Sequence, residues 1–264
     1  MQNIALAKKI SYNEESSNSG TITIEPLFPG YGMTLGNSLR RVLLSSLPGA
    51  AVVGVKIKGA SHEFMSLPKI KEDVLEMILN IKQLRIKMFT EEEVKLELKT
   101  KGKKKVTAAD ISKNAEVEIK NPELYIAEIT EASGDLEIEI FVRPGLGYSL
   151  AEGSKNKNKE IGYIELDSIY SPVTLVSIEV ENTRVGKMTN WDKLNLYIKT
   201  DGTVNPDEAF YKAVDILVEQ FTALNGKEEK LVEEEVIEEE PEQDNEVEKE
   251  EKKEKKKTKS KTKK

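Results

Sequence analysis

Cysteine is absent from all 264 residues. That excludes disulfide frameworks, thiolate metal sites, iron–sulfur clusters and cysteine nucleophiles. Histidine occurs once, as His62, leaving no His-rich metal site and no histidine pair for acid–base chemistry. No apolar run approaches the roughly 18 residues that span a bilayer. The opening stretch MQNIALAKKISYNEE lacks the apolar core and cleavage site of a secretory leader. A cytoplasmic protein without membrane contact is expected. Apolar residues make up 38% of the chain and charged residues 33%, against roughly 45–50% and about 25% in an ordinary globular chain. Part of the chain is therefore expected not to be globular.

Arginine is also scarce, with 5 Arg (Arg40, Arg41, Arg85, Arg143 and Arg184) against 35 Lys. Each is a candidate for a fork-shaped contact that lysine cannot make. The charges are unevenly spread. Glu228 to Glu251 holds 14 acids against 2 Lys, and Lys252 to Lys264 holds 9 Lys against Glu254. Such blocks have little to bury and repel themselves into extension, so 227–264 is expected to be a disordered, acidic-then-basic tail. Its terminal lysines have no interleaved aromatics, so any contact with DNA through them would be weak and nonspecific.

Thr21 to Glu25 alternates as a strand, and Pro26 to Gly32 reads as a turn-rich loop. Thr34 to Leu47 reads as a helix with Thr34 at its N-cap and Pro48-Gly49 as the stop. Val52 to Ile57 is an apolar strand, and Lys69 to Ile81 has helical spacing. Alternating runs at 94–98, 116–119 and 136–140 predict antiparallel strands with one wet face. Asn205-Pro206-Asp207-Glu208 predicts a helix start, running to Leu224 with Gly226 beyond its end. An α+β fold follows.

Two helices carry more apolar surface than one core needs. With Leu35 at zero and about 100° per residue, Leu39, Val42, Leu43 and Ser46 form a core-facing stripe. Leu44 falls on the opposite side, bracketed by Arg40 and Arg41. That is the composition of a protein contact with an apolar anchor and charged surroundings; the alternative is a second-side core residue. On the 206–224 helix, Ala209, Phe210, Ala213, Val214, Leu217, Phe221 and Leu224 form one stripe, with Tyr211, Ile216 and Val218 off it. A twofold partner is one way to bury a second side; another element of the same chain is the other.

The run Glu25-Pro26-Leu27 followed by Gly30 to Gly49 (GYGMTLGNSLRRVLLSSLPG) closely resembles the signature of the alpha subunits of bacterial RNA polymerase. The resemblance continues in order through His62–Lys82, Val106–Asp110, Arg143–Tyr148, Tyr170–Val173, Val180–Leu194 and Thr200–Pro206. It implies a non-catalytic assembly scaffold, a subunit of a nucleotidyltransferase that itself carries no catalytic, metal or cofactor residues. It implies a discontinuous dimerisation subdomain, a sheet with two long helices, made of 1–48 and 174–226. A mostly β insert subdomain, 49–173, would lie between the two parts. The helices would pair across a twofold through Tyr31, Leu35, Leu39, Val42, Leu43, Phe210, Val214, Leu217 and Phe221. The homodimer would dock the beta and beta-prime subunits, in a 2:1:1 core with omega.

Matched position by position, the resemblance assigns Arg41, Leu44 and Glu76 to beta. It assigns Lys82, Leu166, Val173 and Lys193 to beta-prime, and Arg184 to a large subunit without saying which. DNA would be met through the assembled enzyme at the nucleoid. One departure stands out: the family's linker and helical C-terminal domain are replaced here by the charged tail, so promoter and activator contacts through that domain are expected to be absent. The polar stretch 152–160 has no assigned role.

Two rival functions fit less well. A freestanding enzyme needs converging acid–base or metal groups, and His62 beside Glu63 is a weak pair. Gly30, Gly32 and Gly36 miss the G-x-G-x-x-G spacing of a dinucleotide loop. A dimeric DNA-binding regulator needs a basic reading face, whereas residues 1–226 are net negative.

Overall fold

Strand-period alternation dominates the chain. In Val94–Lys101 the buried positions Val94, Leu96, Leu98 and Thr100 alternate with Lys95, Glu97, Lys99 and Lys101. The computed structural model describes residues 4–151 and 162–225. They fold as α+β, mostly strands with three α-helices among the described residues. In chain order the first elements are β1 (Lys9–Ser16), β2 (Ser19–Leu27), α1 (Tyr31–Ser45), β3 (Pro48–Ile57) and α2 (Val74–Ile81). Next come β4 (Ile86–Met88), β5 (Val94–Lys101), β6 (Lys104–Thr107), β7 (Val117–Ile119), β8 (Tyr125–Ile129) and β9 (Asp135–Leu146). The last are β10 (Tyr148–Ser149), β11 (Tyr163–Glu165), β12 (Ser168–Ile169), β13 (Val173–Val185), β14 (Met188–Thr200) and α3 (Pro206–Asn225).

The two ends of the chain share one antiparallel sheet, ordered β1-β2-β14-β13. Ile22, Ile24 and Leu27 of β2, with Leu194, Leu196 and Ile198 of β14, face Leu39 and Leu43 of α1 and Ala209, Phe210 and Ala213 of α3. The middle of the chain forms a second sheet, ordered β5-β9-β3-β4-β7, with β11 beside β4 on the far edge of β3. Leu136, Ile138, Ile140 and Val142 of β9 pack in its core with Val74, Met77, Ile78 and Ile81 of α2. Each fully buried Leu or Ile contributes about 1.5–3 kcal/mol of transfer free energy. Two short ribbons, β6-β8 and β10-β12, complete the strands.

By contacts the chain divides into residues 1–217 and a second unit beginning at Val218, whose described part is the last two turns of α3. The expected tail 227–264, Gly226 and the stretch 152–160 lie outside the described residues.

Several sequence expectations need correction. Helix α1 begins at Tyr31, not Thr34. Thr34 is inside the helix, where its Oγ1 donates to the Gly30 carbonyl at 3.2 Å. The cap comes from far along the chain: one carboxylate oxygen of Asp192 accepts the backbone N–H groups of Gly30 and Gly32, each at 2.9 Å. The first turn has no acidic residue of its own, so Asp192 supplies both acceptor and negative charge at the positive end of the helix.

The core face of α1 is also turned from the expected stripe. It centres on Gly32, Gly36, Leu39 and Leu43, while Leu35 is exposed and Val42 only partly buried. The glycines are the reason. A Cβ at Gly32 would lie 2.8 Å from Val180 Cγ1, and one at Gly36 would lie 2.9 Å from Ile178 Cγ2. The helix therefore seats its glycine edge directly on β13.

The helix expected over 69–81 shortens to 74–81. Ile70 instead bridges to Ile129, Ser66 bridges to Asp73, and Lys69 sits at φ 67°. Asp73 then caps α2 by accepting the Glu76 N–H at 2.7 Å. Apolar spacing alone did not distinguish these pairing residues from a helical turn. Strand β3 starts at Pro48, directly after α1, rather than at Val52. Strand β7 is 117–119, and β5, β9 and β2 extend the expected runs.

Candidate subunit interfaces

Three surfaces hold the residues singled out by the sequence. The first is the outer side of α1 and α3. Phe28 meets Tyr31 and Trp191 edge-on, at 6.1 and 5.8 Å between ring centroids, fixing the entry of α1. With its glycine edge on the sheet, α1 leaves Tyr31, Leu35, Arg40, Arg41 and Leu44 exposed. Leu44 is thus not a second core residue of its own chain. Arg40 and Arg41 have no ion-pair partner among the described residues. On α3, Tyr211 is exposed and Val214 and Leu217 are half-buried; Phe221, in the second unit, is exposed on its own account. Leu39, Leu43 and Phe210 are sealed in the chain's own core, at 5%, 0% and 3% exposure. They hold the two helices on the sheet rather than presenting surface.

The second surface is the outer face of α2. Glu76 is exposed on the same short helix as Leu75 and Leu79, which are also exposed. The buried face of α2, from Val74 to Ile81, clamps it to the middle sheet. Asn80 ties α2 to β8 as well, donating from Nδ2 to the Ile126 carbonyl at 3.1 Å.

A groove of about 400 Å³ beside α2 is the third surface. It brings together Lys82 and Leu166, 84 residues apart in sequence, with Leu79, Glu63 and Asp167 also lining it. Lys82 is exposed; Leu166 is buried, its N–H donating to the Val53 carbonyl at 2.9 Å. The Asp167 carboxyl is held below the usual carboxylate range, first by the N–H of Ala151, then by the Tyr148 hydroxyl and the charge of Lys82.

Val173 and Lys193 are not in this groove. Val173 is buried in the core of the terminal sheet, at the start of β13. Lys193 lies on β14, half-buried, and its Nζ donates to Glu181 at 2.8 Å across the strand pair. That bond raises the lysine's pKa and lowers the carboxylate's. Arg184 is exposed at the far end of β13, where Nε donates to the Gly186 carbonyl at 2.8 Å. Among the described residues no three His, Asp or Glu side chains are grouped to hold a metal ion, and no helix is long and apolar enough to cross a membrane.

Sequence reasoning misses the packing role of Gly32 and Gly36 and the capping role of Asp192, which carries no local signal of it. A pair of glycines four residues apart in an otherwise strong helix was the available clue to close packing.

A family model described as the RNA polymerase Rpb3/RpoA insert domain matches residues 55–171. Curated relatives are similar over most of the chain. The DNA-directed RNA polymerase subunit alpha of Carboxydothermus hydrogenoformans is 48% identical over 229 residues, which is 87% of this chain and 73% of the relative. That of Desulforamulus reducens is 47% identical over 231 residues, 87% of this chain and 73% of its own. The subunit from Oceanobacillus iheyensis is 44% identical over 223 residues, 84% and 71% respectively.

Proposed function

The chain belongs to the alpha-subunit family of DNA-directed RNA polymerase, and on that premise we propose that it is the non-catalytic scaffold on which the polymerase core assembles. Two copies pair, and the pair docks beta on one protomer and beta-prime on the other, giving a 2:1:1 core joined by omega. The observation that carries this reading is the two-sidedness of α1 and α3. Their inner faces are sealed against the terminal sheet, yet Tyr31, Leu35 and Tyr211 remain exposed. Apolar surface of this kind on otherwise well-packed helices marks a protein contact.

The terminal sheet with its helices acts as the dimerisation subdomain, 1–48 with 174–226. The middle sheet acts as the insert, 49–173. The separate apolar clusters of the two sheets support a division of this kind, with Val173 packing in the terminal cluster although it falls within 49–173. At the twofold, Tyr31, Leu35, Val42, Val214, Leu217 and Phe221 make the contact, and Leu39, Leu43 and Phe210 set the helices in place. Arg41 and Leu44, with Glu76 on α2, engage beta. An unpaired guanidinium beside a half-exposed leucine suits a carboxylate or a pair of carbonyls next to an apolar pocket. Lys82, Leu166, Val173 and Lys193 serve beta-prime. Lys82 and Lys193 meet it directly, whereas the buried Leu166 and Val173 shape the strands beneath. Arg184 serves a large subunit. The chain works in the cytoplasm, at the nucleoid, and meets DNA through the assembled enzyme.

The test is to purify the tagged full chain from its own cells and weigh the complex by native mass spectrometry. Two copies with one of each large subunit is the expected result. A chain that captures neither large subunit in mild salt overturns the scaffold reading.

A further inference from the structure

The apolar clusters of the two sheets share no residue, so a common core is not what holds the middle sheet against the terminal sheet. The chain passes between them twice, out of α1 into β3 and out of β12 into β13. The two passages run side by side. A Cβ on Gly49 would collide with the Tyr170 carbonyl oxygen, and the Ser171 hydroxyl donates to the Leu44 carbonyl at 3.2 Å. A cleft of about 220 Å³ opens there, lined by Ile86, Met88 and Pro144 from the middle sheet and by Val204, Glu208 and Lys212 at the start of α3. Two adjacent passages leave the angle between the sheets to other contacts.

Arg85, which has no role above, meets Asp201 across this boundary. Arg85 directly precedes β4 and Asp201 directly follows β14; Nη1 of the first lies 3.9 Å from Oδ2 of the second. Both residues are held from behind. The Asn121 side chain accepts the Arg85 N–H at 2.8 Å and donates to the Gln83 carbonyl at 3.0 Å, and the Lys120 N–H donates to the Arg85 carbonyl at 2.8 Å. Asp201 Oδ1 accepts the N–H of Thr203 at 2.9 Å and its hydroxyl at 2.5 Å, and the Asp201 N–H donates to the Pro172 carbonyl at 2.9 Å. The other oxygen, Oδ2, is turned to the guanidinium. The Asp201 side chain is 9% exposed and that of Arg85 39%. The carboxylate is thus largely out of bulk water and feels the opposite charge more than a fully solvated one does.

We infer that the Arg85–Asp201 pair is a clasp that fixes the middle sheet against the terminal sheet, which makes both of them positioning residues of the scaffold. The clasp itself stands on the geometry; its consequence for assembly rests on the scaffold reading above. A scaffold that meets its partners through both sheets must hold the sheets at one spacing, because any freedom between them is lost on binding and costs affinity. An ion pair of this exposure shifts a balance of arrangements by about fivefold or less. The clasp therefore narrows the range of arrangements and leaves the folding of either sheet to its own core.

The chain has no cysteine, so Lys103→Cys after β5 and Lys199→Cys on β14, both exposed positions, take one spin label each. Labelled full chain is diluted with unlabelled chain, and the distance distribution is measured in the parent, Arg85→Gln, Asp201→Asn, the double variant and Arg85→Lys. Asp201→Asn keeps an oxygen for Thr203. Expected are broader distributions in Arg85→Gln and Asp201→Asn, no further broadening in the double variant, and near-parent width in Arg85→Lys. The parent itself broadens in about 1 M salt, where the screening length falls to about 3 Å. Arg85→Gln keeps the parent's dimer and unfolding midpoint, and its recruitment of purified beta and beta-prime weakens about two- to fivefold. Being half-exposed, Arg85 keeps the test open if an Asp201 variant unfolds. Unchanged width in folded Arg85→Gln overturns the clasp, and a broader distribution with full recruitment overturns its positioning role. A parent chain that recruits neither large subunit overturns the scaffold reading instead, and the distances still decide the clasp.

Discussion

Asp192 Oδ2 lies 2.9 Å from the backbone nitrogen of Gly32, 160 residues earlier in the chain, and at the same distance from that of Gly30. One carboxylate on β14 thereby closes the N-terminus of α1, the helix that carries Arg41 and Leu44. The glycine is required on its own account, because a Cβ there would lie 3.0 Å from this same oxygen and 2.8 Å from Val180.

Asp192→Ala is expected to destabilise the fold by about 1–2 kcal/mol, the cost of losing an N-cap. Asp192→Asn, which keeps an acceptor, loses less. Denaturant unfolding gives the magnitude. Faster hydrogen exchange at Tyr31–Leu35 than elsewhere in α1 locates it; uniform exchange would mean that the cap does not act locally.

Leu43 and Leu44 are neighbours with opposite fates. Leu43 is fully buried and Leu44 is 37% exposed. Leu43→Ala is expected to cost about 2–5 kcal/mol. Leu44→Ala and Arg41→Ala stay within about 0.5 kcal/mol of the parent, leave the dimer intact, and weaken capture of beta. Paired unfolding curves and pull-downs separate the effects, and full beta capture by Arg41→Ala would remove that arginine from the interface.

Gly32→Ala sets a gain in helix propensity of about 1 kcal/mol against overpacking onto Val180 and the capping carboxylate, typically about 1–3 kcal/mol. Because two of the three nearest atoms belong to Asp192, the clash also disturbs the cap, and net destabilisation is expected. A higher unfolding midpoint would show that β13 yields more easily than the geometry implies.

Tyr163 packs edge-on against Phe141 at 5.1 Å and lies over Gly54. Burial, then the charges of Glu93 and Glu165, push its phenol up to about 12. The unfolded phenol ionises near pH 10. The folded state holds the proton more tightly, so this stabilisation is complete below about pH 10 and is lost as pH rises through about 12. Between about pH 9 and about pH 11.5 the parent is expected to lose more stability than Tyr163→Phe. Equal losses in the two proteins would show that this phenol does not govern the alkaline limit.

The sequence by itself determined the α+β class, the alternation of β5 and β9, the helix beginning at Pro206, and the family, because these are written in local period and in a long continuous motif. It also set Leu44 between two arginines on the side of α1 away from Leu39 and Leu43. Tertiary structure alone decided the start and rotation of α1, since both depend on β13 and β14 arriving beneath Gly32 and Gly36. It also decided that Ile70 pairs with Ile129 instead of extending α2, because an apolar residue satisfies either geometry until its partner is present. The meeting of Lys82 with Leu166, and of Tyr148 with Ile169, was equally out of reach of the sequence. The second pair is joined by strand register, which is settled by hydrogen-bonding partners that local sequence does not name, and the first meets because the end of α2 and the residue after β11 line one groove.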